Sequence, residues 1–308
     1  MSNNLYWTVY KNLERELLEL SNLVHIDDKQ LDIYSIKITE LLIRTVVEVE
    51  SISKELYFQN GGNKLDNNNL FFDTDCLELL ENKWLLSKKQ FQISAPNFYF
   101  NQIDNKIFKP LNKANKRGSS SSNWLKAFQA VKHNRAKSLT SGNLKNLIRA
   151  LAGLYILNLY FRDNLYFLDK DATGTNFDNS LGSSLFAIKL HINQSISIDI
   201  DYTKNEDFDE CVYIIKPTDE ARNNFQKVLK EINEKTIERT REIVYRELSQ
   251  KVGNINNKGQ EEIDDKIKII VEEATQKNMI QVAKENGQIL KQQIDNLKYE
   301  SVLNKQQY

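Results

Sequence analysis

Only three prolines and ten glycines are spread through 308 residues. These two residues are the strongest local breakers of regular structure, so long, rarely interrupted helices are expected. The most apolar run, Leu147 to Phe161, spans 15 residues and includes Arg149 and Asn158. It is too short and too polar to cross a bilayer and reads as a buried core helix. With 40% hydrophobic and 27% charged residues, the composition is that of a soluble globular chain rather than a disordered one. The length gives room for one large domain or two smaller ones. Cys76 and Cys211 lie far apart without metal-ligand spacing, which predicts a reducing compartment and inert thiols. The charged, amphipathic N-terminus MSNNLYWTVYKNLERELLEL argues against a secretory signal, and a cytoplasmic protein with no membrane partner is expected.

Periodicity predicts a first helix over residues 5 to 23, with Leu13, Leu17, Leu20 and Val24 on one face. Asp27-Asp28 offers an N-cap for a second helix running to about Tyr57 and stopped by Asn60-Gly61-Gly62. That helix carries a wide apolar stripe containing Leu31, Ile38, Leu42 and Val49, and a narrower one, Ile36, Ile43 and Val47. A helix apolar on both sides is expected to pack between neighbours. A short helix follows over 74 to 82, and short strands are predicted near Gln90–Ile93, Asn97–Phe100 and Lys106–Phe108. Asn123 can cap a helix from Trp124 to about Leu139, and another runs from Leu144 to about Phe161. Phe186 to Tyr202 alternates like a strand, Cys211 to Ile215 gives a further one, and the remainder reads as two helices broken at Gly253 to Gly259. The expected fold is mainly α. It has a helical domain over 1–168 with a small β insertion near 84–108, short antiparallel β segments over 169–217, and a helical C-terminal extension over 218–308. That extension is a candidate partner surface.

The charge is sharply segregated. The chain balances 42 basic against 42 acidic residues, yet Asn105 to Arg162 contains no Asp or Glu and twelve Lys or Arg. Such segregation creates a local positive field that suits an anionic polymer. The other reading is that the stretch pairs with acidic segments within the fold. The stretch includes Lys116 and Arg117, a Gly- and Ser-rich tract expected to be an exposed loop, and the run Lys132-His133-Asn134-Arg135.

On a helical wheel Trp124, Phe128, Val131 and Leu139 share one face, and Lys126, Gln129, His133 and Lys137 the opposite one, since i and i+7 differ by about 20°. His133 is thus expected to project with lysines, away from the core. Arg135 falls inside the apolar stripe if the helix continues, and there it would need a carboxylate partner. Glu50 or Glu48 on the second helix is the candidate, with Glu50–Lys54 and Arg44–Glu48 as i,i+4 pairs. Such a Glu–Arg contact fits a helix-positioning ion pair as well as a catalytic one. Asp199-x-Asp201-x-Thr203 with Glu210 mimics a calcium loop, but Lys204 stands where glycine is needed. No metal or cofactor site is expected.

The segments YSIKITELLIRTVVEVESISKEL, FKPL and NWLKAFQAVKHNRAKSLTSGNLKNLIRALAGLYILNLYF together resemble the HEPN superfamily of helical bundles, over residues 28 to 165. The likeness is strongest to bacterial members with a V-K-H-x-R run ahead of an A-L-A-G-L-type helix. The resemblance implies a homodimer, RNA as partner, and metal-independent endoribonuclease activity in a toxin-type or anti-phage defence role. In that family an Arg stands four to six residues before the His; here those positions hold Ala127, Phe128 and Gln129, and Lys126 is the nearest basic residue upstream on the same face. Lys126, His133 and Arg135 are accordingly the candidate catalytic set. Lys132, Asn134, Lys137, Lys116 and Arg117 are candidate RNA contacts, and Glu50, Lys54 and Glu48 candidate supports. Lysine lacks the bidentate fork of arginine, so the departure weakens phosphate clamping and leaves cleavage in question. The alternative is a non-catalytic helical adaptor that binds a protein through residues 218–308.

Overall fold

In a computed structural model, residues 5–64, 70–112, 122–169, 182–193, 206–252 and 260–307 are described. The protein is mainly helical. The helices are α1 (Leu5–Leu20), α2 (Ile36–Gln59), α3 (Leu77–Trp84), α4 (Ile103–Lys106), α5 (Asn123–Ser138), α6 (Leu144–Arg162), α7 (Glu206–Glu210), α8 (Asp219–Val252) and α9 (Gln260–Asp295). The strands are β1 (Ile26–Asp27), β2 (Phe91–Ile93), β3 (Phe98–Tyr99), β4 (Ile107–Phe108), β5 (Tyr166–Asp169), β6 (Phe186–Ile188), β7 (Leu190–Ile192), β8 (Tyr213–Pro217) and β9 (Tyr299–Leu303).

The apolar run does form the core: every residue of α6 from Ala150 to Tyr160 is buried, with α1, α2 and α5 packed around it. Asn143 caps α6 by accepting from the Asn146 N–H (3.0 Å), and Asp163 ends it in the left-handed conformation (φ 48). Inside α6, Asn158 is fully buried and returns its amide to the Leu154 carbonyl (3.0 Å).

Helix α2 differs from the sequence expectation at both its start and its outer face. Asp27-Asp28 does not cap it; Ser35 does, accepting from Ile38 N–H (3.1 Å). Ile26–Asp27 instead forms a strand parallel to Phe98–Tyr99, and Asp28 accepts from the Asn101 and Gln102 N–H groups (2.8 and 3.1 Å). Of the narrow stripe, Ile36 and Val47 are exposed and Ile43 is partly buried against the core, so α2 is covered fully on its wide stripe and only in part on the narrow one.

A three-stranded sheet, β4-β2-β6, is antiparallel, and a four-stranded sheet runs β5-β9-β8-β7. The latter is mixed, because β7 pairs parallel to β8 while β9 pairs antiparallel to both β8 and β5; the β segments are therefore not all antiparallel. The α8–α9 hairpin leaves from β8 and returns to its neighbour β9, so the C-terminal segment does not stay helical to its end. Along the hairpin, Asn278 is buried and donates to Thr236 O (3.0 Å) and Thr240 Oγ1 (2.7 Å), a polar pairing that fixes register between two helices. Among the described residues no helix is long and apolar enough to cross a membrane.

Candidate nucleic-acid interface

Helix α5 is held by its apolar face. Trp124, Leu125, Ala127, Phe128 and Val131 are buried, and the Trp124 indole N–H donates to the Pro110 carbonyl (2.9 Å). Ser122, not Asn123, is the N-cap, and it makes no side-chain cap bond. At the other end the chain passes Gly142 hard against α2, where Thr39 Oγ1 donates to the Gly142 carbonyl (3.3 Å). A Cβ at Gly142 would overlap that hydroxyl, so only glycine lets the α5–α6 turn approach so closely.

The burial of α5 ends at Val131, and its regular geometry breaks three residues later. Asn134 sits at φ −150, ψ 70, a kink inside the helix. Continuing the helix would have carried Arg135 into the apolar stripe and stacked the like charges of Lys132 and Arg135 one turn apart. Asparagine, a weak helix former, allows the break. Lys132, His133, Asn134, Arg135, Ala136 and Lys137 are all exposed in consequence. Lys126 and His133 do project away from the core, as the wheel requires, whereas Lys137 lies beyond the kink and is not placed by the wheel. Lys116 and Arg117 lie outside the described residues.

The predicted Arg135 ion pair does not form: neither Glu50 nor Glu48 reaches it, because the kink turns Arg135 into solvent. Arg135→Ala is accordingly expected to change stability by no more than about 0.5 kcal/mol in chemical denaturation; a loss of several-fold that size would mean the helix runs straight. Arg44 likewise pairs with Glu16 of α1 (2.7 Å) rather than with Glu48. Glu50 instead feels Lys132. Burial raises its carboxyl above the ordinary range, Lys132 and Lys54 oppose the rise, and Asp73 adds to it. Glu48 is raised by burial as well, with Arg44 opposing. Alongside, a π-helical turn (Phe72–Cys76) presents Asp73, itself raised by burial, and Asp75, which is paired with Lys64 at 2.8 Å. Glu50, Lys54, Asp73 and Lys132 thus share one electrostatic neighbourhood between α2, the π turn and α5. The Lys132 ammonium also lies 5.4 Å from the Phe128 ring centroid.

Several cations elsewhere find carboxylates: Lys37 and Arg44 on Glu16, Lys109 and Lys189 on Glu210, Lys216 on Glu300, Arg239 on Glu285. Lys109 shows internal pairing for part of the acid-free stretch. By contrast, Lys126, Lys132, Arg135, Lys137, Lys145 and Arg149 have no carboxylate at ion-pair distance among the described residues. Lys145 and Arg149 show in the sequence only as two cations four residues apart on an otherwise apolar helix. The Asp199–Thr203 calcium-like loop lies outside the described residues, and its distal Glu210 is engaged with two lysines, which hold its carboxyl below the ordinary range. No group of three or more His, Cys, Asp or Glu side chains converges as a metal site among the described residues.

Comparison of the chain with protein-family models, with curated proteins and with solved structures finds no match.

Proposed function

We propose that this protein binds single-stranded RNA on the exposed face and kinked end of α5, as a HEPN-like RNA-binding protein of a bacterial defence or toxin-type system. The observation that carries this is the cluster of exposed cations on one helix, Lys126, Lys132, Arg135 and Lys137, with no carboxylate at ion-pair distance among the described residues and within a stretch that holds no Asp or Glu. An exposed cation cluster without ion-paired carboxylates favours phosphates. His133 stands between these cations and has the chemistry for proton transfer to a phosphodiester, which extends the proposal to metal-independent cleavage. Lys126 takes the place of the family's arginine.

Binding is tested by fluorescence anisotropy with a labelled RNA oligonucleotide across a salt series. If four cations displace counterions, log affinity falls against log salt with a slope of about −3. A charge-reversed Lys126→Glu/Lys137→Glu variant should lose most of that affinity while keeping its thermal midpoint. No RNA affinity at low salt ends the proposal. Cleavage is assayed with chelator present; His133→Ala should abolish it and leave binding within about threefold, since one exposed imidazole contributes little to the phosphate field.

A second reading, a protein-binding adaptor, is favoured by the α8–α9 hairpin, which exposes Ile237, Tyr245, Ile269, Met279 and Ile280. An adaptor would show no salt-dependent RNA binding.

A further inference from the structure

Helix α6 carries Lys145 and Arg149 one turn apart, an i,i+4 arrangement in which like charges repel. Both line a narrow cleft with Leu31, Ile93, Phe108 and Asn105. Arg149 is half-buried, and its guanidinium is set over the Phe108 ring, 5.7 Å from the centroid. The exposed Asp104 acts on it only from beyond ion-pair distance. Asp28, which fixes Asn105 on the cleft wall through a 2.9 Å bond, is itself occupied by the Asn101 and Gln102 N–H groups. Two cations on one cleft wall, partly desolvated and with no carboxylate at ion-pair distance, are unfavourable alone and favourable around an anion. The cleft measures about 10 Å³, room for roughly one water-sized atom.

We propose that this cleft is a phosphate subsite, in which Lys145 and Arg149 hold one non-bridging oxygen while the rest of the phosphate group stays at the mouth. That the phosphate is supplied by RNA rests on the function proposed above; the chemistry of the cleft does not. Burial also holds the Arg149 guanidinium below its ordinary range, and a bound anion would relieve that penalty.

The test measures the thermal midpoint of the full chain in inorganic phosphate against chloride at equal ionic strength. At about ten times the dissociation constant, phosphate should raise the midpoint by about 2 °C, and Lys145→Gln and Arg149→Gln should each abolish the shift. Arg149 also stacks on the Phe108 ring, a packing contact that Lys145 does not share, so the Lys145 variant stays informative if Arg149→Gln misfolds. No shift in wild type, or an equal shift in both variants, overturns the subsite. A second arm measures RNA affinity: Lys145→Gln should weaken it several-fold and make the salt slope shallower by about 0.7. A phosphate shift without any RNA binding keeps the subsite and ends the RNA proposal. RNA binding unchanged in Lys145→Gln, with the phosphate shift intact in wild type, assigns the cleft to free phosphate.

Discussion

Replacing Glu14 by alanine is expected to cost about 3–5 kcal/mol of folding stability, the largest loss foreseen for one side chain here. Glu14 is 1% exposed and stands on α1 as a buried acceptor hub. Its Oε1 takes the Tyr10 hydroxyl (2.9 Å) and the backbone N–H groups of Ser184 (2.8 Å) and Leu185 (3.3 Å). The Ser183 hydroxyl also donates to it, and Lys11 pairs with its other oxygen. Burial, with the adjacent Glu14 charge, raises the Tyr10 hydroxyl well above its ordinary range, so Tyr10 remains a donor at any ordinary pH. In the alanine variant the Tyr10 hydroxyl and the Leu185 N–H keep only the Ser183 Oγ (2.6 and 3.0 Å), the buried Ser183 hydroxyl loses its acceptor, and each polar group left short of partners carries a desolvation cost. Because Leu185 leads directly into β6, the loss should appear locally too, as faster hydrogen exchange of the Ser184 and Leu185 amides. Glu14→Gln keeps an acceptor for the backbone donors and should cost less than half as much. Urea unfolding decides the matter; an alanine variant within about 1 kcal/mol of wild type would show that the hub is solvated.

None of this hub could be read from the sequence. Glu14 looks like a surface residue of an amphipathic helix, and beyond Tyr10 and Lys11 on its own helix its partners are residues 183–185, some 170 positions on. What could be read was local. Leu144–Arg162 is almost where periodicity placed it, because its cap (Asn143) and its apolar run lie next to each other in the chain. The three strand segments between Gln90 and Phe108 were legible for the same reason. The start of α2 was not: Asp27-Asp28 is a plausible cap by composition, but Ile26–Asp27 is claimed by a strand 70 residues away. Strand β9 escaped because Tyr299–Leu303 declares itself only by pairing with β8 and β5. In the candidate site, the charge run and the outward face of Lys126 and His133 followed from the sequence. The kink at Asn134 did not, since it reflects where burial ends on α5, and it undid the Arg135 ion pair.

Replacing Lys89 by methionine is expected to stabilise the protein by about 2 kcal/mol at pH 7, a gain that disappears in alkali. Lys89 is fully buried, and its ammonium donates to the Asp209 carbonyl (3.0 Å). Burial lowers its pKa from 10.5 to about 8, with Cys211, Asp209 and Glu81 resisting. Below about pH 8 folded and unfolded chains both carry the proton, and folding bears the full cost of a desolvated charge. Between pH 8 and 10.5 the unfolded chain binds the proton and the folded one does not, so wild-type stability rises with pH relative to the variant. The shift corresponds to about 3 kcal/mol. Methionine, of similar reach and without charge, avoids that cost, but it leaves the Asp209 carbonyl without its donor, worth about 1 kcal/mol. Cys211, whose thiol burial pushes up to about 11, stays neutral through most of the window. The difference between the two proteins therefore reports the amine. Denaturant midpoints at pH 7, 8.5 and 10 should show the variant ahead at first and level or behind at the end. A constant offset across that range would mean the amine is hydrated, and the joint between β2 and the 208–211 segment open to water.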